Sequence, residues 1–174
     1  MTLRLAPHDP RWHAMFNAER TAILGALEAG TLSLHHIGST AVPGLVAKPI
    51  IDILGVVKNL TMLDGANGRL ERLGYAALGS HGLDGRRYFR KRDGGDHPGF
   101  HLHCYGARSP HPERHLAFRD FLRVHPDEAA AYGKLKSRLM AEGPISRADY
   151  AGAKAKFVTD VERRAIQWMR SRAS

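Results

Sequence analysis

The sequence predicts an α+β domain that carries a helical C-terminal part. Strand patterns, mixed with one helix, lie between residues 31 and 105, and every segment after Pro110 has the periodicity of a helix. The 174 residues fit one domain, 1–174, with an α/β core at about 11–106 and C-terminal helices at about 110–171. Hydrophobic residues make up 43% of the chain, which is enough for a core and excludes general disorder.

A helix and two strands are predicted in the first third of the chain. Apolar residues recur at helical spacing from Trp12 to Leu27 and predict a helix over 10–29. Segment 31–37 alternates between apolar and polar residues and predicts a strand. The β-branched run of 49–57 predicts a second strand, which we expect to be central in the sheet.

Shorter elements follow, and helices fill the rest of the chain. An amphipathic helix is predicted over 60–73. Turn residues then separate three strand candidates, which are 75–78, 86–92 and 100–105. Prolines at positions 126 and 144 divide the C-terminal part into helices of about 112–124, 127–141 and 146–171.

The chain is strongly basic and has one cysteine. The 26 Lys and Arg residues exceed the 17 Asp and Glu residues, and the formal charge of +9 favours anionic partners such as nucleotides, phosphorylated metabolites or nucleic acid. Cys104 cannot form an internal disulfide, so we expect a cytoplasmic location. The first residues lack the apolar run of a signal peptide, and no stretch reaches the ~18 apolar residues of a membrane span, so no membrane partner is expected.

A glycine-serine pair follows the first predicted strand. Gly38 lets the backbone approach a phosphate closely, the N–H groups of the following helical turn point toward it, and Ser39 adds a hydroxyl donor. We therefore predict a phosphate-binding turn formed by Gly38, Ser39 and Thr40. His36 and Lys48 flank this turn and are further candidate phosphate contacts, although a sheet-edge histidine and a surface lysine explain them equally well.

A single carboxylate interrupts the apolar strand that comes next. Asp52 lies on that strand, with twelve residues between it and Ser39. A carboxylate at this position can hold the divalent metal that bridges the phosphates of a ligand. We therefore predict Asp52 as a metal ligand and catalytic residue, with Mg²⁺ or Mn²⁺ as the ion.

Two histidines flank a leucine on a later predicted strand. A period of two places the imidazoles of His101 and His103 on one face and Leu102 on the other. With Asp52 they would form a His-His-Asp site, which suits Mn, Fe, Zn or Ni better than Mg. His103 is also a candidate general base. Alternatively, both histidines are half-exposed polar residues, or hydrogen-bond partners of a phosphate or of Asp52.

Five basic residues fall within segment 86–92. Alternation places Arg86, Tyr88, Arg90 and Arg92 on one face of this predicted strand and the remaining residues on the other. One face can clamp the anionic groups of a ligand, because arginine binds phosphate through two parallel hydrogen bonds. A solvated basic hairpin is the alternative and explains most of these residues.

The chain resembles the GrpB family over nearly its whole length, from Trp12 to Trp168. Six segments carry the resemblance: HIGSTAVPGLVAKPIIDI, GRRYFRK, HLHCY, RHLAFRDFLRVHP, AYGKLK and YAGAKAKFV. It implies a nucleotidyltransferase-like mixed β-sheet core with added helices, and the glycine-serine to aspartate spacing is similar to the pattern of that superfamily. The resemblance also implies that Arg86, in the GRRYFRK motif, contacts the ligand. The family is also found as the C-terminal portion of some dephospho-CoA kinase fusions.

One feature departs from active nucleotidyltransferases. In the two-metal scheme, a pair of carboxylates projects from one strand face at positions i and i+2. Leu54 stands two residues after Asp52, and Ile50 stands two residues before it. Either other residues complete the site, or the fold binds a nucleotide without transferring it.

Two Tyr-x-x-x-Lys pairs lie in the predicted C-terminal helices. They are Tyr132 with Lys136, and Tyr150 with Lys154, and each pair has the spacing of neighbours on one helix face. We interpret them as residues of amphipathic helices. The resemblance also allows a position that faces the site.

These observations support two hypotheses on function. The first is a nucleotidyltransferase-like enzyme that binds a nucleotide or phosphorylated small molecule and transfers a nucleotidyl group with a divalent metal. The second, motivated by Leu54, is a catalytically inactive binding protein on the same fold. Nucleic acid is not expected as a partner, because the basic residues do not form an aromatic-interleaved platform.

Overall fold

The computed structural model describes residues 4–28, 30–95, 98–142 and 146–173. These residues form a mixed sheet of five strands, which are β1 (Leu32–Ile37), β2 (Ile50–Val57), β3 (Ala76–Ala77), β4 (Arg86–Lys91) and β5 (Gly99–Gly106). The helices are α1 (Arg11–Ala26), α2 (Thr61–Asp64), α3 (Asn67–Arg72), α4 (His111–Val124), α5 (Pro126–Ala141) and α6 (Arg147–Ala173), and a 3₁₀ turn spans Ser39–Ala41. The predicted α+β class with a helical C-terminal part is confirmed.

The strand order is β1-β2-β5-β4-β3. Strands β2 and β5 are parallel, and the other three pairings are antiparallel. The middle strand is β5, and β2 is paired on both sides, with β1 and β5, so its prediction as a central strand is confirmed. In one row of the sheet, Asp52 lies opposite His101, and His101 lies opposite Arg90.

One face of the sheet, which we call the apolar face, packs against α1, α2 and α3. Ile51 and Ile53 of β2 and Leu102 of β5 point to this face because side chains alternate along a strand, and all three are fully buried. The helices cover it with apolar stripes, whose residues include Trp12, Phe16, Ile23, Leu63 and Leu70. This face forms the largest part of the core.

The opposite face, which we call the polar face, carries Asp52, His101 and Arg90 in one row. Further along the strands this face becomes apolar, and α4 covers it there through a cluster formed by Ile37, Leu54, Tyr105 and Leu116. Helices α4, α5 and α6 otherwise pack on one another and on Val42 and Leu45. The uncovered end of the polar face is therefore left next to the C-terminal helices.

Two predicted elements are shorter than expected. The helix predicted over 60–73 is two short helices, with Gly65 and Ala66 between α2 and α3. Glycine costs about 1 kcal/mol relative to alanine inside a helix, so Gly65 contributes to the break. The strand predicted over 75–78 pairs only at Ala76 and Ala77.

The C-terminal helices remain amphipathic along their length. The last of them, α6, has 27 residues and carries charged side chains from its first turn to its last. In the described ranges, no helix combines the length and the apolar character that crossing a membrane requires.

Replacement of Gly55 by alanine should destabilise the fold. A Cβ at this position of β2 would lie 2.7 Å from the Sγ of Cys104 and 3.2 Å from the Cδ1 of Leu32, and both of these side chains are buried. We expect the free energy of unfolding to fall by about 1–3 kcal/mol, the usual cost of overpacking a core. Urea denaturation measures this change.

Gly25→Ala is the matched control. A Cβ at Gly25 meets no atom within 4 Å, and the residue lies inside α1. The higher helix propensity of alanine should raise the free energy of unfolding by about 0.5–1 kcal/mol. Equal effects of Gly25→Ala and Gly55→Ala would contradict the close packing of β2 on β5.

Candidate metal and anion-binding site

A carboxylate and two imidazoles meet on the polar face. Asp52 on β2 and His101 and His103 on β5 come together because these two strands are neighbours in the sheet. The Oδ1 of Asp52 lies 3.4 Å from the Nδ1 of His101 and 3.3 Å from the Nε2 of His103. One potential ligand atom of each residue lies within 4.8 Å of the other two. Two nitrogens and one carboxylate oxygen at this spacing fit a divalent ion such as Mn, Fe, Zn or Ni.

The Asp52 carboxyl group is ionised because its partners outweigh its burial. Burial raises the pKa of Asp52, but hydrogen bonds and positive charge from His101 and His103 lower it by more. The pKa of this carboxyl group therefore lies below its ordinary value. The group is a charged oxygen donor throughout the neutral pH range.

Gly38 leaves space for the carboxylate of Asp52. Its φ of 72° lies in the left-handed region that favours glycine. A Cβ at Gly38 would lie only 2.8 Å from the Oδ2 of Asp52. Both the backbone conformation and the close approach therefore require glycine, and the turn after β1 and the carboxylate of β2 form one local unit.

A cavity of about 770 Å³ opens beside this unit. Basic side chains outnumber carboxylates around it, since Asp52 and Asp93 are the two acidic residues among the described ones that border it. The seven basic residues in the wall are Arg4, Lys48, Arg90, Lys91, Arg92, Lys136 and Lys154. A concave surface with this excess of positive charge attracts anions.

Lys136 of α5 connects the C-terminal helices to the glycine-serine turn. Its side chain is buried, and its Nζ donates to the Oγ of Ser39 at 2.9 Å and to the carbonyl oxygen of Val46. The same Nζ lies 4.5 Å from the centre of the Tyr132 ring. These contacts hold an ammonium group at the inner wall of the cavity, directly against the predicted phosphate-binding turn.

Tyr150 of α6 contacts two further lysines. The Nζ atoms of Lys48 and Lys154 lie 4.1 Å and 4.6 Å from the centre of its ring. Cation-π contacts of this kind stabilise the ammonium groups and partly offset their mutual repulsion. Lys48, Lys136 and Lys154 all border the cavity, and we call them the lysine group.

The structure brings most of the predicted site residues together. Those that border the cavity are Ser39, Thr40, Lys48, Asp52 and His101. Gly38 and His103 lie directly behind them, where both approach the carboxylate of Asp52. The predicted turn, the predicted carboxylate and the predicted histidine pair therefore share one location.

His36 lies on the opposite face of the sheet from Asp52 and does not border the cavity. It is opposite Ile53 in the sheet, on the apolar face, and its ring stacks on Phe16 with 4.9 Å between ring centres. Its Nε2 is 2.9 Å from the Oγ1 of Thr40. Burial lowers the pKa of His36 to about 4, so the ring is neutral at pH 7 and supports the turn from below.

Arg86 lies on the predicted face of β4 but is directed at a neighbouring loop. Its Nε donates to the carbonyl oxygen of Ser80 at 3.1 Å, and its Nη2 donates to that of His81 at 2.7 Å. Its guanidinium carbon also lies 5.1 Å from the centre of the Tyr88 ring. These contacts give Arg86 a role in holding the loop before β4, away from the cavity wall.

The interpretation of the two Tyr-x-x-x-Lys pairs as ordinary amphipathic-helix residues is incomplete. Lys136, Tyr150 and Lys154 all border the cavity, on helices that follow the sheet in the chain. The signal in the sequence is the repetition of one pair in two successive helices. Spacing alone does not show which face of each helix meets the sheet.

Gly38→Ala should destabilise the protein more than Gly44→Ala. The two glycines have φ values of 72° and 76°, so alanine is strained at both positions. A Cβ at Gly44 meets nothing within 4 Å, whereas one at Gly38 meets the carboxylate of Asp52. We expect an additional loss of about 1–3 kcal/mol for Gly38→Ala in urea denaturation. Equal losses would mean that the carboxylate does not pack against the turn.

The buried ammonium group of Lys136 should make the stability depend on pH. Burial, together with the charges of Lys154 and Lys48, lowers the pKa of Lys136 to about 7, whereas lysine in an unfolded chain has a pKa of about 10.4. Between these values the unfolded chain binds more protons than the folded one, so the free energy of unfolding rises with pH.

Urea denaturation of the wild type and of Lys136→Met at pH 7 and pH 9 measures this effect. Methionine keeps the length of the side chain and does not titrate, so the stability of the wild type relative to the variant should increase between the two pH values. A difference that stays constant between pH 7 and pH 9 would show that the folded protein does not lower the pKa of Lys136.

Comparison with known proteins identifies related structures. A crystal structure of the conserved protein GrpB from Enterococcus faecalis superposes with a TM-score of 0.87 at 37% identity, and the match covers 95% of this chain and 99% of that one. Cid1 poly(U) polymerase is a far more distant likeness, with a TM-score of 0.44 and 10% identity over 72% of this chain and 43% of that one. That likeness is too remote to bear on activity.

Curated relatives cover nearly all of this chain. UPF0157 proteins of Bacillus subtilis (YqkA) and Pseudomonas aeruginosa are 36% and 37% identical to it over 165 and 164 residues. These matches take in 95% and 94% of this chain but only 48% and 68% of the relatives' lengths. A dephospho-CoA kinase of Mycolicibacterium paratuberculosis is 29% identical over 193 residues, which is 46% of its length. The model of the GrpB protein family matches residues 2–164, and the chain therefore belongs to the GrpB family.

Proposed function

We propose that this protein binds a nucleotide or a phosphorylated small molecule in the basic cavity, together with a divalent metal, and transfers a nucleotidyl group. The observation that carries the proposal is the convergence of basic side chains, Asp52 and His101 on one cavity, with His103 completing a His-His-Asp donor set directly behind them. A nucleotide uses both features, because basic side chains neutralise its phosphates and a metal ion bridges their oxygens.

The lysine group is suited to the phosphates. Lys48, Lys136 and Lys154 bring three ammonium groups to one wall, next to the hydroxyl group of Ser39. Burial lowers the pKa of Lys136, and the charges of Lys154 and Lys48 lower it further. A phosphate group would replace this repulsion with charge-assisted hydrogen bonds, which are about twice as strong as neutral ones. We therefore assign the phosphates of the ligand to this wall.

Asp52, His101 and His103 are the residues that would hold the metal. Imidazole nitrogens favour Mn, Zn, Fe or Ni, whereas Mg prefers oxygen ligands. When bound, the ion would supply positive charge at the phosphate oxygens. The Nε2 of His103 faces the Oδ1 of Asp52 and would be used as a metal ligand. It could not serve as a general base at the same time, so we assign His103 to metal binding.

Binding without transfer is the second candidate, and Leu54 is the observation that favours it. Two-metal transfer needs a second carboxylate near Asp52, on the same face of the strand. Leu54 occupies that position, is fully buried, and packs with Ile37 and Tyr105. Within the part of the chain that the structure describes, Asp52 is the one carboxylate in the cluster that could hold a metal.

Calorimetric titration with ATP tests the binding. We expect the wild type to bind ATP more tightly with Mn²⁺ or Zn²⁺ than with EDTA, and Asp52→Asn to lose this metal dependence. Lys154→Met should weaken ATP binding about tenfold, because it removes one charge from the wall. Lys58→Met is the control, since Lys58 is exposed and does not border the cavity. No binding of ATP with either metal would contradict the proposal.

Pyrophosphate release separates the two candidate functions. Transfer of a nucleotidyl group from ATP to a hydroxyl acceptor forms a bond to the α-phosphate, breaks the bond between the α- and β-phosphates, and frees pyrophosphate. Release in the presence of Mn²⁺ that disappears in Asp52→Asn supports transfer. Metal-dependent ATP binding without release across a panel of acceptors supports binding alone.

A further inference from the structure

Strand β4 carries basic residues on both faces, and the partners of these residues differ. On the apolar face, the Nε of Arg87 lies 2.6 Å from the Oδ1 of Asp64, and the Nζ of Lys91 lies 3.0 Å from the Oε2 of Glu19. On the polar face, Arg90 borders the cavity and forms no ion pair with any residue of the described ranges. Among the described residues, Arg90 therefore has no carboxylate of the kind that compensates Arg87 and Lys91.

Arg90 and the lysine group lie on opposite sides of the candidate metal site. Arg90 on β4, His101 on β5 and Asp52 on β2 occupy one row of the polar face. Neighbouring strands are ~4.8 Å apart, so the backbone of Arg90 lies about 10 Å from that of Asp52. The lysine group approaches Asp52 from the other side, because Lys136 is bound to Ser39, which follows β1.

We propose that the ligand carries two separate phosphate groups, one held by the lysine group and the other by Arg90, with the metal site between them. This inference rests on the binding part of the proposed function, since it names the class of ligand for the same cavity, and it does not depend on nucleotidyl transfer. A guanidinium group pairs with a terminal phosphate through two parallel hydrogen bonds, whereas the lysines supply point charges. The two walls therefore suit two distinct anionic groups.

A nucleoside 3′,5′-bisphosphate has this layout. Its phosphates are separated by a ribose, so each can reach a different wall and still offer an oxygen to the metal site between the walls. The phosphates of a 5′-diphosphate share a bridging oxygen, and both would lie on one side. The cavity volume of about 770 Å³ is within the range of sites that hold ligands of this size.

Calorimetric titrations with three adenosine nucleotides test this inference. Adenosine 3′,5′-bisphosphate is compared with ADP, which has the same number of phosphates, and with ATP, which has a similar net charge near neutral pH. All titrations use the full chain at one fixed concentration of Mn²⁺. We expect the bisphosphate to bind about tenfold more tightly than either comparator, because it alone engages both walls.

Substitutions in β4 test whether Arg90 holds the second phosphate group. Arg90→Gln, which removes the charge, should weaken binding of the bisphosphate about tenfold and leave binding of ADP unchanged. Arg90→Lys should restore part of this loss, because it keeps the charge without the planar fork. Arg87→Gln is the matched control on the same strand, since Arg87 pairs with Asp64 on the other face. Thermal melting verifies that each variant is folded.

Two outcomes would overturn the inference. ADP or ATP could bind as tightly as the bisphosphate, or Arg90→Gln could weaken all three nucleotides alike. Either result leaves the proposed function standing, because a nucleotide still binds in the cavity. If none of the three nucleotides binds, the inference and the proposed function both fail.

Discussion

The contacts of one carboxylate group determine how this part of the molecule is built. A charge on an interior strand must be paired and hydrogen-bonded, because an isolated buried charge is strongly unfavourable. Asp52 is paired with His101 and His103 of the neighbouring strand. Gly38, in the turn after β1, has no Cβ and so leaves space for the carboxylate. All of these contacts depend on β2 lying between β1 and β5, so the strand order determines which side chains meet at the site.

The C-terminal helices complete the cavity as well as covering the sheet. Helix α4 covers the apolar end of the polar face, whereas α5 and α6 bring Lys136, Tyr150 and Lys154 to the open end. Burial of an ammonium group is costly, and its hydrogen bonds to Ser39 and Val46 offset only part of that cost. Apolar residues at these positions would pack the same helices at lower cost, so the basic wall supports the proposal of an anionic ligand.

Short-range periodicity predicts a large part of this fold. Alternation places His101 and His103 on one face, and the structure confirms it. Short-range periodicity does not predict contacts between distant segments of the chain. The spacing of His36 does not show that it lies on the face away from Asp52, because that depends on the register between β1 and β2. Nor does helical spacing show that Lys136 reaches Ser39, which is 97 residues away in the chain.

Leu54, two positions after Asp52, explains which residues are available as candidate metal ligands. Leu54 belongs to the apolar packing under α4, so further donors must come from the adjacent strand, and there they are the imidazoles of His101 and His103. Imidazoles in place of carboxylates would bring less negative charge to a bound divalent ion, so more of its positive charge would stay uncompensated. Among the described residues, the surrounding wall adds seven basic side chains and one further carboxylate, Asp93. A ligand that balances this field needs several negative charges distributed along its length, and a neutral or singly charged molecule would leave most of the field unbalanced.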